Sequence, residues 1–528
     1  MSTAQANVAS SGSEPQSRGW VSDLVSGLLV FMLALPLSLG IAKASGFPPA
    51  MGVLTAMVGG MITSAFKVSP LTIKGPAAGL ITVCAASVAE FGGGDEGWRA
   101  ACGVITVMAA LQVLFGFLKF GTLSDFFPHS AVHGMLAAIG IIIIAKQFPV
   151  LLGVEPSLYA GEGPIQLLLD IPRFVANERL HIAIVGITGL VILFTLPLIK
   201  VKALKKVPAP LIVLAVTVPI SIYWHFKETE QAYSLVKIGD FWGSVGLNAD
   251  FTHVGTVAFW KYVFMFLFVS SLESLLTVKA IDNLDPWKRT SDYNSELKAQ
   301  GAGNIVAGLL GGLPMISEVV RSSANVGFGA RTKLSNFFHG VCLLLAMLLL
   351  IPYIEMIPNA ALAAMLIFAG YRLAAPKEFI HTLHIGKEQL TIFVVTIVIT
   401  LAEDLLLGVA AGIVVKILFH LWNGAKFGSL FKAQYTVEQK GDTTHVTMGG
   451  STVFSNLIGY KKMLNSLPRG AKVRLDVKST RLIDHSFSAF IDHYMRLYNE
   501  AGGDMRIIND EKHVPLSKHP LATRKLAG

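Results

Sequence analysis

The feature that most constrains this chain is a succession of about fourteen apolar segments, all of them before residue 426. Their centres fall near residues 31, 57, 82, 108, 141, 190, 217, 268, 303, 321, 343, 365, 395 and 413. An α-helix rises about 1.5 Å per residue, so some twenty apolar residues cross the hydrocarbon core of a bilayer. The first run, Val21 to Ala42, is long enough. Residues 1–17 before it are polar and Ser-rich, without the pattern of a cleaved leader, so the run is expected to stay as a membrane helix. Two segments, starting near Lys74 and Ser317, are short and follow Pro- and Gly-containing sequence. They read as half-helices rather than full spans.

Composition supports a membrane protein. Apolar residues make up 53% and charged residues 15% of the chain, outside the range of ordinary soluble domains. The formal net charge of +9 does not imply nucleic acid, because the Lys and Arg are scattered between apolar runs. With a cytoplasmic N-terminus and an even number of crossings, Lys67, Lys119, Lys200, Lys202, Lys205, Lys206, Arg331, Lys333, Arg372, Lys377 and Lys387 fall inside. Glu90, Asp95, Glu96, Glu355, Glu403 and Asp404 fall outside, and Lys43 is the main exception to the pattern. That asymmetry follows the positive-inside rule and predicts both termini on the cytoplasmic side. Cys84, Cys102 and Cys342 sit in apolar stretches and offer neither a disulfide framework nor a metal-ligand spacing.

After Lys416 the texture changes. His445–Met448, Val473–Val477 and Met505–Ile508 read as strands, and residues 456–467 and 486–498 as amphipathic helices. This alternation predicts a small α/β domain over residues 431–513. It follows a polar terminus (1–18) and a membrane region (19–425), and precedes a basic tail (514–528) expected to be flexible.

Charge inside a membrane segment is costly, which marks a few residues for function. In VSSLESLLTVKAID, Glu273 lies deep in a helix and Thr277 falls on the same face, four residues on. Together they supply oxygen ligands for Na⁺, or the carboxylate carries a proton, or Glu273 is a packing residue satisfied by neighbouring hydroxyls. In GGLPMISEVVRSSANVGFGART (311–332), Gly311, Gly312 and Pro314 break the helix, and Ser317 is the expected N-cap of the restart. A helix N-terminus near mid-membrane attracts an anion, and Arg321 adds a positive charge one turn in. Arg321 alternatively pairs with Glu318, and Glu318 is expected to pair with Arg321 or Lys74. The first-half counterpart, SPLTIKGPAAGLITV (69–83), breaks at Pro70, Gly75 and Pro76. Lys74 there either meets the anion or snorkels to the interface. Lys74, Gly75, Pro76, Ala77, Ile316, Ser317, Glu318 and Arg321 are therefore the candidate substrate-binding residues, and Glu273 with Thr277 the candidate cation site.

These elements together resemble the SulP anion-transporter family. The resemblance rests on ALPLSLGIAKASG (34–46), the GPAAG break, SLESLLTVKAID (271–282), NIVAGLLGGLP (304–314) and RSSANVGFGART (321–332). The C-terminal segment resembles a STAS domain, with its strand-to-helix turn at Asp484 and Ser486 in RLIDHSFSAF. The family implies a seven-plus-seven inverted repeat in an all-α membrane domain, with substrate held between the half-helices of the third and tenth segments. Its eighth-helix acid matches Glu273, its cation-side hydroxyl Thr277 and its tenth-helix arginine Arg321. The expected function is secondary active transport of sulfate or bicarbonate, coupled to Na⁺ or H⁺, without an organic cofactor. A dicarboxylate/H⁺ symporter and an anion channel are the alternatives. A bacterial inner-membrane location, a bilayer environment and a homodimer with the STAS domain as its candidate contact complete the expectation. Glu318, Val320 and Lys74 depart from the common family pattern, and His485 intervenes between Asp484 and Ser486. No metal-hydrolase, G-x-S-x-G or phosphate-loop motif argues for an enzyme.

Overall fold

A computed structural model describes residues 19–121, 128–159, 162–199, 207–229, 234–287, 289–403, 405–468 and 470–527. The polar N-terminus, the lysines at 200–206 and Asp404 lie outside the described residues. Each of the fourteen apolar centres falls in a helix. These are α1 (Trp20–Ala44), α2 (Pro49–Thr63), α3 (Ile81–Glu90), α4 (Gly94–Phe117), α5 (His129–Leu151), α6 (Leu180–Thr195) and α7 (Ala209–Tyr223). They continue as α8 (Val257–Leu284), α9 (Tyr293–Leu309), α10 (Val319–Gly327), α11 (Leu334–Leu349), α12 (Asn359–Leu373), α13 (Lys387–Ala402) and α14 (Leu405–Trp422).

Among the described residues, six helical stretches are long and apolar enough to cross a membrane, and five shorter apolar helices accompany them. The outer faces agree. On α6, Leu180, Ile184, Ile187, Val191 and Phe194 are all exposed, at the three- and four-residue spacing of one helical stripe. A continuous exposed apolar stripe of this kind is stable against lipid and not against water.

The chain divides into two compact units. One comprises Ser11–Gly121 and Ile139–Leu373; the other includes Thr122–Ala138 and Ala374–Gly528. In the first unit, helices approach closely where glycines leave room. A Cβ on Gly60 would lie 2.6 Å from the Gly340 Cα, so α2 and α11 pack backbone against backbone. Asp23 on α1 accepts hydrogen bonds from the Arg331 and Thr332 backbone N–H groups at 2.7 and 3.0 Å, tying the first helix to the entry of α11.

The second unit contains α13, α14 and the α/β layer. The short strands β1 (Lys74–Pro76) and β2 (Met315–Ser317) belong to the first unit, whereas β3 (Gln434–Lys440), β4 (Thr443–Thr452), β5 (Lys472–Ile483), β6 (Asp504–Ile508), β7 (His513–Pro515) and β8 (Arg524–Leu526) form one mixed sheet. β4 and β6 flank β5 in parallel, whereas β3 runs antiparallel to β4. Helices α15 (Leu457–Asn465) and α16 (His485–Glu500) cover it, burying Val446, Leu457, Tyr460, Leu475, Phe487 and Ile491 together. The stretch after residue 513, read from sequence as a flexible tail, is corrected here. β8 pairs antiparallel with β5 at Leu482 and Ile483, and Ala522 and Thr523 are buried.

Asp484 ties this layer to the last apolar helix. As N-cap of α16 it accepts from the Phe487 N–H at 2.7 Å and from the Phe454 N–H at 3.0 Å. The Lys416 ammonium on α14 lies 3.1 Å from its carboxylate and donates to the Ser486 hydroxyl at 2.9 Å. Burial alone would raise the Asp484 pKa, but Lys416, His420 and the two N–H donors hold it below the usual carboxylate range. The stability this confers is therefore present above the unfolded carboxylate pKa of about 3.9. It is lost as pH falls through the lower folded value. Replacing Asp484 with Asn should lower the unfolding free energy of the C-terminal domain at neutral pH by about 3–5 kcal/mol, because Lys416 stays buried without its counter-charge. The deficit should shrink at strongly acid pH, a comparison readable by tyrosine fluorescence of the full chain.

Candidate functional site

The two half-helices are joined by a pair of short strands. Lys74–Pro76 runs antiparallel to Met315–Ser317, with Gly75 opposite Ile316. The second chain break has local causes. Gly311 adopts a left-handed φ of 97°, open to glycine, and Pro314 cannot donate a helical hydrogen bond. The short strands take their backbone bonds from their surroundings. The Ala77 N–H donates to the Pro314 carbonyl at 3.1 Å and the Glu318 N–H to the Ile73 carbonyl at 2.9 Å. The Ser317 N–H donates to the Ser274 hydroxyl on α8 at 2.8 Å, and the Met315 N–H to the Asn304 side chain on α9 at 2.6 Å.

The helix α10 begins at Val319, so Glu318 and not Ser317 occupies the N-cap position. Ser317 stays in the strand, with Ser274 of α8 taking its N–H and its hydroxyl accepting from the Lys74 ammonium. Lys74 is fully buried and forms an ion pair with Glu296 of α9 at 2.5 Å, and the other Glu296 oxygen accepts from the Ser69 N–H. Lys74 therefore neither snorkels nor pairs with Glu318. Removing one member of a buried pair costs about 3–5 kcal/mol. Lys74→Met should accordingly lower the melting temperature in detergent, and adding Glu296→Gln should recover part of the loss.

Glu273 and Arg321 behave differently. Arg321 is fully buried, and all three of its guanidinium nitrogens lack a hydrogen-bond partner among the described residues. It lies against Gly75, where a Cβ would collide with its Nη1. The Glu273 carboxylate is 6% exposed, has no hydrogen-bond partner among the described residues, and lies against Gly79 at the start of the first half-helix. Glycine at both positions thus lets the two charged groups reach the crossing of the chain breaks. Thr277, one turn beyond Glu273, is 7% exposed. Glu318, 9% exposed, is an electrostatic neighbour of both Glu273 and Arg321, and its Oε2 has no partner among the described residues. Pro76 and Ala77 line the first break, and Ile316 lies in the second.

An unpaired buried guanidinium costs several kcal/mol unless something anionic neutralises it. The arrangement can hold an anion between the first N–H groups of two half-helices and Arg321, with an acid beside it to exchange a cation or proton. Sequence reading missed Glu296, Ser274, Asn304 and His339, the last fully buried on α11 beside Arg321. The spacing of Glu296, Gln300 and Asn304 at four-residue steps, one buried polar stripe, was a usable signal for α9.

The sequence profile described as the sulfate permease family matches residues 21–396. The chain belongs to the sulfate permease family. It is therefore a multi-pass membrane protein from a family of anion transporters, not of enzymes. Relatives include the "Putative sulfate transporter YvdB" of Bacillus subtilis, 27% identical over 76% of this chain and 73% of that protein. The bicarbonate transporter BicA of Picosynechococcus is 26% identical over 74% of this chain and 69% of its own length. Solved structures give the same fold. The transmembrane domain of a cyanobacterial BicA superposes with a TM-score of 0.65 at 23% identity, covering 76% of this chain and 99% of that one. SLC26A9 superposes with a TM-score of 0.66 at 15% identity, covering 92% of this chain and 84% of that one.

Proposed function

We propose that this chain is a secondary active carrier of an inorganic oxyanion, bicarbonate or sulfate, coupled to H⁺ or Na⁺ and working by alternating access. The observation that carries the reading is the Arg321 guanidinium, fully buried and without a hydrogen-bond partner among the described residues, at the crossing of two half-helices. The anion lies against Arg321 and the N–H groups that open the two half-helices just beyond Ala77 and Glu318, whose own N–H groups are taken by the Pro314 and Ile73 carbonyls. Glu273, with Thr277 one turn away, exchanges the coupling cation. Lys74 holds the β-strand crossing rigid through Glu296 and Ser317 rather than touching substrate. Relatives that carry sulfate or bicarbonate in their names support this substrate class.

The protein belongs in a bacterial plasma membrane with both ends cytoplasmic, in keeping with the loop charges. It works as a homodimer, with the C-terminal α/β domain as a contact or regulatory element. The test is uptake of labelled bicarbonate, sulfate and fumarate into proteoliposomes under imposed Na⁺ or H⁺ gradients. Accumulation of one inorganic anion that collapses when one of the gradients is removed supports the reading and names the coupling ion. Uptake of fumarate alone overturns the substrate class.

A further inference from the structure

The last apolar helix, α14, has two unlike faces, and the outer one continues past the helix end. Val414, Leu418 and Leu421 are exposed at steps of four and three residues, one stripe of an apolar helix in a membrane protein. Trp422, the final residue of α14, is 89% exposed. Beyond it Phe427 and Phe431 are exposed too, their ring centroids 5.4 Å apart. The opposite face is held against the α/β layer. Lys416 and His420 meet Asp484, and Ala425 and Leu430 are buried with Val453 and Leu482. The Ser429 and Leu430 carbonyls accept from the Asn456 and Ser455 side chains at 2.8 and 2.7 Å. A backbone anchored on its inner side thus holds the aromatic rings outward.

Beside these rings lies an open cavity of about 480 Å³, lined by Lys426, Gly428, Ser429, Gln434, Gly450 and Arg481. Two of its lining residues are cationic and none is acidic. Neither Lys426 nor Arg481 has an ion pair among the described residues. Gly450, at a left-handed φ of 65°, keeps the cavity open, since a Cβ there would lie 2.6 Å from the Gln434 side-chain oxygen. Lys432 adds an exposed cation directly after Phe431. We propose that this corner binds an anionic phospholipid, with its phosphate in the cavity beside Lys426 and Arg481 and its acyl chains along Leu418, Trp422 and Phe427. A free phosphate would match the cations and leave the rings in water. A neutral lipid would cover the rings and leave the cations unmatched. An anionic lipid meets both, at the level where interfacial Trp and basic residues anchor a membrane protein. A second copy docked here about a two-fold axis would set the same cations against each other, at an electrostatic cost. Because the inner face of the segment grips the sheet, the bound lipid fixes the α/β layer at the exit of α14.

The test titrates the full chain in neutral detergent with phosphatidylglycerol or phosphatidylcholine carrying brominated acyl chains, which quench tryptophan on contact. Wild type should be half-quenched at about tenfold less phosphatidylglycerol than phosphatidylcholine. The preference should fall to near parity in Lys426→Gln/Arg481→Gln. It should persist in Lys472→Gln/Lys478→Gln, which removes the same charge from exposed positions of the same domain. Trp422→Phe should lose the component that saturates at low phosphatidylglycerol, placing the lipid at the exit of α14. Equal preference in the two double variants would make the attraction a matter of net charge and overturn the site. Quenching at low phosphatidylglycerol that survives Trp422→Phe would overturn it as well. Displacement of the lipid by an equal concentration of inorganic phosphate would show a phosphate site and not a lipid one. Trp422 left unquenched in a chain that sediments as a dimer would give this face to a second copy, against the proposal.

Discussion

Replacing Arg321 with Gln should abolish measurable anion uptake while leaving the protein folded. Arg321 has no protein hydrogen bond to lose among the described residues, so the change removes a buried guanidinium whose N–H donors are left for substrate. Truncating one partner of a buried charged contact costs about 2–5 kcal/mol. That is on the order of 30- to several-thousand-fold in apparent affinity. The fold should tolerate it, since desolvating the guanidinium costs stability in the empty state and glutamine relieves that cost. Arg321→Lys should restore little, because an ammonium on a flexible stem lacks the planar fork that grips an oxyanion with two parallel bonds. The measurement is initial uptake against anion concentration, together with a melting curve of each purified variant. Uptake of Arg321→Gln near the wild-type rate would place the anion elsewhere.

The second large effect concerns coupling. Glu273→Gln keeps the shape of the side chain against Gly79 but fixes it in a neutral form. Accumulation of anion against its own gradient should fall to the passive level, whereas exchange of labelled for unlabelled anion across the membrane should persist. That split separates coupling from binding: a residue needed only for packing would lower both together, through the amount of folded protein. Gly79→Ala offers a steric counterpart, since its Cβ would collide with the Glu273 carboxylate. Full gradient-driven accumulation by Glu273→Gln would remove Glu273 from the coupling role.

Most of the membrane architecture was legible in the sequence because hydrocarbon leaves a chain few options. Apolar length marks the helices, and Gly–Pro breaks such as Gly311–Pro314 mark the half-helices. The site was legible where burial and charge coincide, as at Glu273 and Arg321. It was misread where the outcome depends on a partner distant in sequence. Lys74 looks like a substrate or interface lysine until Glu296, 222 residues away, is found beside it. Ser317 has the chemistry of an N-cap, yet Ser274 and Lys74 hold it in the strand and move the helix start past Glu318. In the C-terminal domain, β3 escaped notice because all of its residues are exposed, so no buried alternation marks it. β8 escaped because its few residues join the sheet through backbone pairing with β5, which side-chain pattern does not encode.

The central claim, that this chain carries an anion by exposing one site alternately to the two sides, is tested most directly by counterflow. Proteoliposomes loaded with unlabelled bicarbonate are diluted into a trace of labelled bicarbonate, with no ion gradient imposed. A carrier returns its site to the outside loaded by exchange, so label should rise transiently above its equilibrium level and then decline, in wild type but not in Arg321→Gln. A monotonic approach to equilibrium, unsaturated by added anion and unchanged in Arg321→Gln, would contradict the account.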